Sequence, residues 1–245
     1  MIQGFICEAD ERQVPFDECL ACAAQEHPCT FPYAMLAWLA EDAQAPHDSI
    51  SVTALTGCVR QAYLRRNQPY YERPSKRTAL VFGTLIHNAL ARRVHAGAMS
   101  EIALRVTTPD GVAISGRADL AINGDRRVLA DFKTTRRIVP SKLPYGDHEA
   151  QLNLYRYMLA RNELDPQMQA GRLVVYYVDL TGPGQEHNGV VPCELPVWPE
   201  ERAASYLRER AKALHAALNG GALPPKIERE RSWACAYCSV NTVCR

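Results

Sequence analysis

The sequence predicts an α/β fold: a mixed central sheet flanked by helices, with a small cysteine-rich N-terminal module. Three observations lead there. Alternating apolar runs at 101–108, 112–122 and 126–135 are separated by turn-forming Asp110-Gly111 and Asn123-Gly124-Asp125, the pattern of an antiparallel meander. Helix-period segments at 77–97 and 147–162 bracket that meander, and a β-branched and aromatic run follows at 172–180. Four of the nine cysteines fall within the first 29 residues, where periodic apolar residues are sparse.

In chain order, residues 1–30 read as organised by metal rather than by an apolar core. FPYAMLAWLAEDA (31–43) has helical spacing, and AQAPHD (44–49) reads as a linker, so the expected domains are 1–48 and 49–245. ISVTALTGCVRQAYLRR opens a helix for which Ser51 or Thr53 is the available cap. A strongly apolar helix over 77–97 is expected to stop at Gly97, and an amphipathic helix over 199–221 to close at Gly220 and Gly221. The last 24 residues form a basic tail with three cysteines, and no internal repeat is present.

The chain has 245 residues, 47% apolar and 22% charged, with a net charge of +1. Such a chain is not globally basic, so any nucleic-acid contact must rest on a local positive field. No stretch approaches the ~18 apolar residues of a membrane helix. The start, MIQGFICEADERQ, lacks a basic end followed by an apolar run, so a cytoplasmic location is expected, with no membrane partner.

Within LADFKTTRR (129–137), side chains alternate, which puts Leu129, Asp131 and Lys133 on one side of the strand and Val128, Ala130 and Phe132 on the other. If the hairpin closes at 123–125, facing positions sum to 250, and Asp119 lies opposite Asp131, with Cβ atoms roughly 5 Å apart. Two carboxylates that close repel unless one is protonated or a cation lies between them. Oxygen ligands suit Mg²⁺ or Mn²⁺, and a lysine beside the ion would orient a water or stabilise developing negative charge. That arrangement fits phosphodiester hydrolysis; a surface strand with a salt-bridged Asp–Lys pair is the competing reading.

GTLIH (83–87), GRADL (116–120), DFK (131–133) and QLNLY (151–155), in that order, resemble the motif series of the RecB-like exonucleases of the PD-(D/E)xK nuclease superfamily. The resemblance runs from about residue 50 to the C-terminus. It implies a restriction-endonuclease-like core and a metal-dependent DNA nuclease acting on single strands or DNA ends. It implies exonuclease action, often from the 5′ end, sometimes with endonuclease activity, in CRISPR adaptation or in recombination and repair. The implied partners are DNA and either a CRISPR integrase or helicase and recombination proteins. Carried over by motif, His87, Asp119 and Asp131 hold Mg²⁺ or Mn²⁺, Lys133 assists the water, and Gln151 and Tyr155 contact DNA or the scissile phosphate. The acid of the DFK motif is often Glu in that family and is Asp131 here.

Cys235-x2-Cys238-x5-Cys244 supplies three thiols and needs a fourth ligand, for which Cys58 is the natural partner. This set resembles the iron–sulfur branch of the superfamily, which includes AddB-type nuclease domains and the small CRISPR-associated adaptation nuclease. The resemblance implies a 4Fe–4S cluster on Cys58, Cys235, Cys238 and Cys244, although four thiolates also suit zinc. Cys7, Cys19, Cys22 and Cys29 form a second candidate set, read as a zinc site, with free thiols or another cluster as alternatives. Cys193 is expected in a strand or core.

Arg136, Arg137 and Lys142 follow the Asp131 strand, and Arg156 and Arg161 share the Gln151 helix, so all are candidate phosphate contacts. Lys226, Arg229, Arg231 and Arg245 add charge in the tail, and Tyr70, Tyr71 and Tyr145 are candidate stacking residues. For each of these, a solvated charge or ordinary packing is the competing reading. At the level of the whole chain the alternatives are a non-catalytic DNA-end-binding subunit and a zinc-ribbon regulator.

Overall fold

The computed structural model describes residues 1–25, 29–44, 49–95, 97–122, 127–144, 146–163, 171–184, 187–227, 234–236 and 238–244. The turn Asn123-Gly124-Asp125, most of the expected linker (45–48), Tyr145, Arg229, Arg231 and Arg245 lie outside the described residues.

The strands are β1 (Ile2–Ile6), β2 (Gln13–Pro15), β3 (Ile50–Ser51), β4 (Tyr70–Glu72), β5 (Ala98–Thr107), β6 (Ala113–Ile122), β7 (Val128–Thr135), β8 (Arg172–Asp179) and β9 (Val190–Leu195). The helices are α1 (Phe16–Ala24), α2 (Tyr33–Gln44), α3 (Val52–Thr56), α4 (Val59–Asn67), α5 (Pro74–Ala91), α6 (Gly146–Arg161) and α7 (Glu200–Leu218). Contacts group them into two units: residues 1–48, 58–85 and 216–245, and residues 49–57 and 86–215.

The second unit is built on a mixed six-stranded sheet, ordered β3-β6-β7-β8-β9 with β5 paired to β6. β7 and β8 run parallel, and α6 is the crossover between them that a parallel pair requires. Leu152, Leu154, Met158 and Leu159 of α6 are fully buried, as are Leu129 and Ala130 of β7 and Leu173 and Val175 of β8. Removing that much apolar surface from water is what holds helix to sheet. Because α6 is buried on nearly every side from Ala150 to Tyr155, its polar residues need internal partners. Asn153 finds three: its Nδ2 donates to the Glu149 and Pro196 carbonyls, and its Oδ1 accepts from Trp198 N.

β6 forks. β5 pairs along nearly its whole length, from Thr107↔Ala113 to Ala98↔Ile122. Its remaining neighbours divide it: β3 pairs at Ile114 and Ser115, and β7 at Leu120, Ala121 and Ile122. Gly116 to Asp119 lie between these two ladders, and this gap is where the functional side chains gather.

The helix expected over 77–97 runs from Pro74 to Ala91 instead. Pro74 costs nothing at a first turn whose N–H groups are unpaired, and Gly97, at φ +88°, belongs to the turn into β5. The single helix expected after Ile50 is two. Ser51 caps α3 by accepting from Ala54 N at 3.2 Å, Gly57 leaves helical geometry, and Cys58 opens α4.

In the first unit, β1 lies between antiparallel β2 and parallel β4. Phe5, Phe16, Leu36, Leu39, Ala40 and Val81 form an apolar cluster, with Phe5 and Phe16 edge to face at 4.8 Å. This corrects the expectation that residues 1–30 lack a core. The apolar positions come from short elements whose partners are distant in sequence, so no periodicity announces them. A Cβ at Gly4 would stand 2.1 Å from the Val14 carbonyl oxygen, so only glycine lets β2 approach β1 there. Glu72, 5% exposed, accepts from Arg65 at 2.6 Å and from Arg77 at 3.0 Å, and Arg77 also pairs with Asp42.

Candidate active site

The register read from the sequence holds. Leu120↔Ala130, Ala121↔Leu129 and Ile122↔Val128 all sum to 250, which makes Asp119 and Asp131 the next facing positions. The ladder stops one residue short of them. Asp119 Oδ2 instead accepts from Phe132 N at 2.8 Å, so a carboxylate takes over a donor where the strands part. His87, on the second half of α5, brings Nδ1 to 3.2 Å from the same Asp119 oxygen. Lys133 Nζ lies 2.7 Å from Asp131 Oδ2. The structure thus sets His87 against Asp119 and Lys133 against Asp131.

The electrostatics are those of a site short of positive charge. Asp131 is 2% exposed, and beyond the Lys133 ammonium at 2.7 Å its Oδ2 has no partner among the described residues. Burial pushes the Asp131 carboxyl up to about 6; Lys133 opposes the shift and Asp119 adds to it. The hydrogen bond to Asp119 raises the His87 imidazole, against desolvation. Among the described residues no three His, Cys, Asp or Glu side chains are already set around a common point as metal ligands. Here they pair with one another, His87 with Asp119 and Lys133 with Asp131. A buried carboxylate whose Oδ2 has no partner but an ammonium, a second carboxylate and an imidazole are nevertheless a donor set that fits a hard divalent cation.

A family model described as the PD-(D/E)XK nuclease superfamily matches residues 91–245. The chain belongs to that superfamily. Its members typically use Mg²⁺ or Mn²⁺, in keeping with the donor set. The match includes Asp119, Asp131, Lys133, Gln151 and Tyr155 and begins after His87. A solved structure, the crystal structure of SSO0001, has a similar fold, with a TM-score of 0.56 and 18% identity over 86% of this chain and 94% of that one. No curated protein matches the chain.

Behind the PD-(D/E)XK acids, Gln151 Nε2 donates to Asp131 Oδ1 at 3.3 Å and to Tyr155 Oη at 2.9 Å. The sequence reading set both side chains against DNA. In the structure they are buried, Gln151 at 6% and Tyr155 at 3% exposure, and they brace Asp131 from behind. The Tyr155 ring occupies the fork of β6: a Cβ on Gly116 would come within 2.6 Å of Tyr155 Cε1. Gly116 begins the GRADL motif, and its signal in the sequence was a glycine inside a strand.

Two further residues escaped sequence reasoning. Glu101 takes φ +50°, faces Asp119 by the β5–β6 register, and lines a cavity of about 220 Å³ with His87, Asp119, Leu120 and Phe132. Its signal was one acid in an apolar strand. His148, at the start of α6, lies 2.8 Å from Tyr177 Oη. Burial, then the Lys133 charge, lowers it to about 4, so it is a neutral imidazole near Lys133. Nothing in its spacing marked it.

The basic candidates separate. Arg136, Arg137 and Lys142 are exposed, as is Lys226. Arg156 donates to the Trp198 carbonyl, while Arg161 stacks on Tyr157 at 3.6 Å and pairs with Glu200 at 2.7 Å. These two are engaged in holding the fold. Tyr70 and Tyr71 are half-buried in β4, with Arg65 5.7 Å above the Tyr70 ring, and Cys193 is in β9 opposite Val175.

None of the nine cysteines is in a disulfide. Cys58 precedes α4, Cys238 N donates to the Cys235 carbonyl at 3.2 Å, and Cys244 ends a short 3-10 turn over Asn241–Val243. The Cys238 thiol is raised by burial, with Cys244 and Cys58 close enough to add to the shift. Arg65, which donates to Ser239 Oγ at 3.1 Å, opposes it.

Proposed function

We propose that this protein is an Mg²⁺- or Mn²⁺-dependent deoxyribonuclease that degrades DNA from single strands or ends, with secondary endonuclease action. The observation that carries the reading is the placement of Asp119 and Asp131 at facing positions, with His87 and Lys133 each within 3.2 Å of one of them. His87, Asp119 and Asp131 would hold the ion. When bound, it supplies Lewis acidity toward a phosphoryl oxygen and makes water a better nucleophile at neutral pH.

The chain's own groups do the remaining work. Asp131, braced by Gln151, gives a fixed anionic anchor. Lys133 places an ammonium beside that anchor, where it steadies charge that grows on the phosphate and orients the attacking water. Phe132 and Leu120 in the neighbouring cavity limit water access, and exposed Arg136, Arg137 and Lys142 attract the DNA backbone. Cys58, Cys235, Cys238 and Cys244 would hold a 4Fe–4S cluster that staples α4 to the C-terminal segment. A role in CRISPR adaptation or in recombination and repair follows from the same resemblance.

End-labelled single- and double-stranded DNA with Mn²⁺ or Mg²⁺ tests this reading. Wild type is expected to shorten single strands, and chelation or Asp131→Asn to stop it. If wild type binds DNA ends yet never cleaves, the protein is a DNA-end-binding subunit instead. Iron, sulfide and a visible absorption band that are lost in Cys238→Ser would support the cluster, and their absence from anaerobically purified protein would remove it.

A further inference from the structure

We propose that the cavity beside the acids is a pocket for one nucleobase of the DNA strand and that Glu101 discriminates among the bases it takes, a role that rests on the nuclease reading above and names how that site selects its substrate. The cavity, about 220 Å³, is walled by Leu90 and Ala91 at the end of α5, Leu120 of β6 and Phe132 of β7. Its size narrows the occupant. An apolar cavity of about 150 Å³ takes one benzene ring, and pockets for drug-sized ligands begin at roughly 300 Å³. The space therefore suits one flat heterocycle and is too small for a whole nucleotide.

Position says which heterocycle. His87 and Asp119 also line the cavity, and both belong to the site that would hold the ion and the phosphate. Whatever fills the cavity is thus a neighbour of that phosphate along the strand. The phosphate itself is unwelcome inside, because Glu101 and Asp119 are both carboxylates, whereas an uncharged base meets apolar walls. The aromatic wall is fixed before any ligand arrives: Phe132 stacks on Tyr176 at 5.6 Å and meets His87 edge to face at 6.5 Å. Aromatic walls of this kind hold bases of any sequence, since every base has a π-face.

Glu101 supplies the polar end. The β5–β6 ladder pairs Ser100 with Leu120 and Ile102 with Ala118, and Glu101 between them takes φ +50°. That conformation is uncommon for a residue with a side chain and gathers where ligands are held. Arg117 Nη1 donates to Glu101 Oε2 at 3.2 Å, which fixes one carboxylate oxygen. An ionised carboxylate only accepts hydrogen bonds. Adenine, cytosine and guanine carry exocyclic amino donors, and thymine carries carbonyl oxygens in their place. The three amino-bearing bases are therefore favoured over thymine. In a duplex that edge is paired and the base is stacked, so entry requires a base already free of its partner. The pocket thereby selects single strands and frayed ends.

The test uses the full chain, Mn²⁺ and labelled single-stranded oligonucleotides, either intact or with one abasic nucleotide moved stepwise along the strand. Wild type is expected to cut about tenfold more slowly when the abasic nucleotide reaches the site, the loss of one stacked base. That readout needs no variant to fold. Ala91→Trp fills the cavity from a half-buried position and should cut intact and abasic strands at one rate. Wild type should also cut more slowly where thymine is presented, and Glu101→Gln should level thymine with the other bases. A wild type indifferent to the abasic nucleotide overturns the pocket, as does a difference that persists in Ala91→Trp. A wild type indifferent to thymine overturns the role of Glu101. If wild type cuts no DNA, the nuclease reading has failed, and competition binding of the same strands without metal decides the pocket alone. Intact strands binding about tenfold tighter than abasic ones in wild type, and equally in Ala91→Trp, would support it. Equal binding in wild type would overturn it.

Discussion

The β6–β7 acids and the N-terminal cysteines are held in place in two different ways. Asp119 and Asp131 are fixed by a sheet: the ladder sets their register, Phe132 N holds one, and Gln151 holds the other. The thiols of Cys7, Cys19, Cys22 and Cys29 project from a turn, a helix and a connecting segment, and two of them are exposed. In the first region the scaffold exists before any ion and carries the strain of a buried carboxylate. Disturbing the acids should therefore change chemistry with the fold intact, while disturbing the first unit should change stability with the acids intact.

The largest effect is expected at Asp131. Asp131→Asn keeps the shape that Gln151 braces and should lower DNA cleavage by roughly 10³-fold, comparable with removal of a key transition-state contact. The folded-state pKa of about 6 lies above the usual aspartate value, so ionised Asp131 costs the metal-free fold stability. That cost is absent below the unfolded value and complete once pH has risen past the folded one. The Asn variant should melt higher than wild type at neutral pH without metal, and the two should converge in acid. A variant that melts lower at neutral pH would mean the scaffold depends on the charge, and the contrast between the regions would fail.

The counterpart in the first unit is Glu72. It is nearly buried between Arg65 and Arg77, and Glu72→Ala leaves both guanidinium groups without their shared anion. Loss of about 3 kcal/mol of stability is expected, as for a broken buried pair. Chemical denaturation measures it, and cleavage per folded molecule should hold. A fall in cleavage at full folding would show that the first unit also sets the acids.

Why one region was legible and the other was not follows from the same contrast. β6 and β7 are adjacent in sequence with long alternating runs, so the sum of 250 could be read before any coordinates. His87 and Gln151 came from the ordered motif resemblance, which GTLIH and QLNLY carry together with GRADL and DFK. β1 pairs with β4 some seventy residues away, and β2 and β4 have three residues each, too few to show alternation. Only cysteines stood out there, and an apolar core was missed. Glu101 and His148 were missed because their roles come from cross-strand register and from burial near Lys133, which composition does not record. The burial of Gln151 and Tyr155 behind Asp131 was not legible either, because a motif names residues without giving their exposure.

Gly116 tests how rigid the sheet-built site is. Gly116→Ala places a methyl 2.6 Å from the Tyr155 ring and 3.2 Å from Val52 Cγ2. The ring is buried and cannot swing into solvent, so a loss of about 1–3 kcal/mol of stability is expected, as for overpacking elsewhere. Tyr155 would also drag Gln151 from Asp131, and cleavage should drop about tenfold, the equivalent of one hydrogen bond. An unchanged rate at reduced stability would detach the Tyr155–Gln151 brace from function.

The smallest effect is expected at Ser51, on the other arm of the fork. Its hydroxyl caps α3, and its backbone is the last residue of β3 paired to β6, one position before Gly116 in the register. Ser51→Ala should remove about 1 kcal/mol through the lost cap. In a chain of this size that is a fall of about 2–4 °C in Tm. If ladder bonds alone fix the acids, kcat should not move, because β7 and the Gln151 brace are untouched. A drop in kcat larger than the drop in Tm explains would mean that the β3 arm sets the width of the fork. The acids would then depend on the whole of β6 rather than on the three ladder pairs beside them.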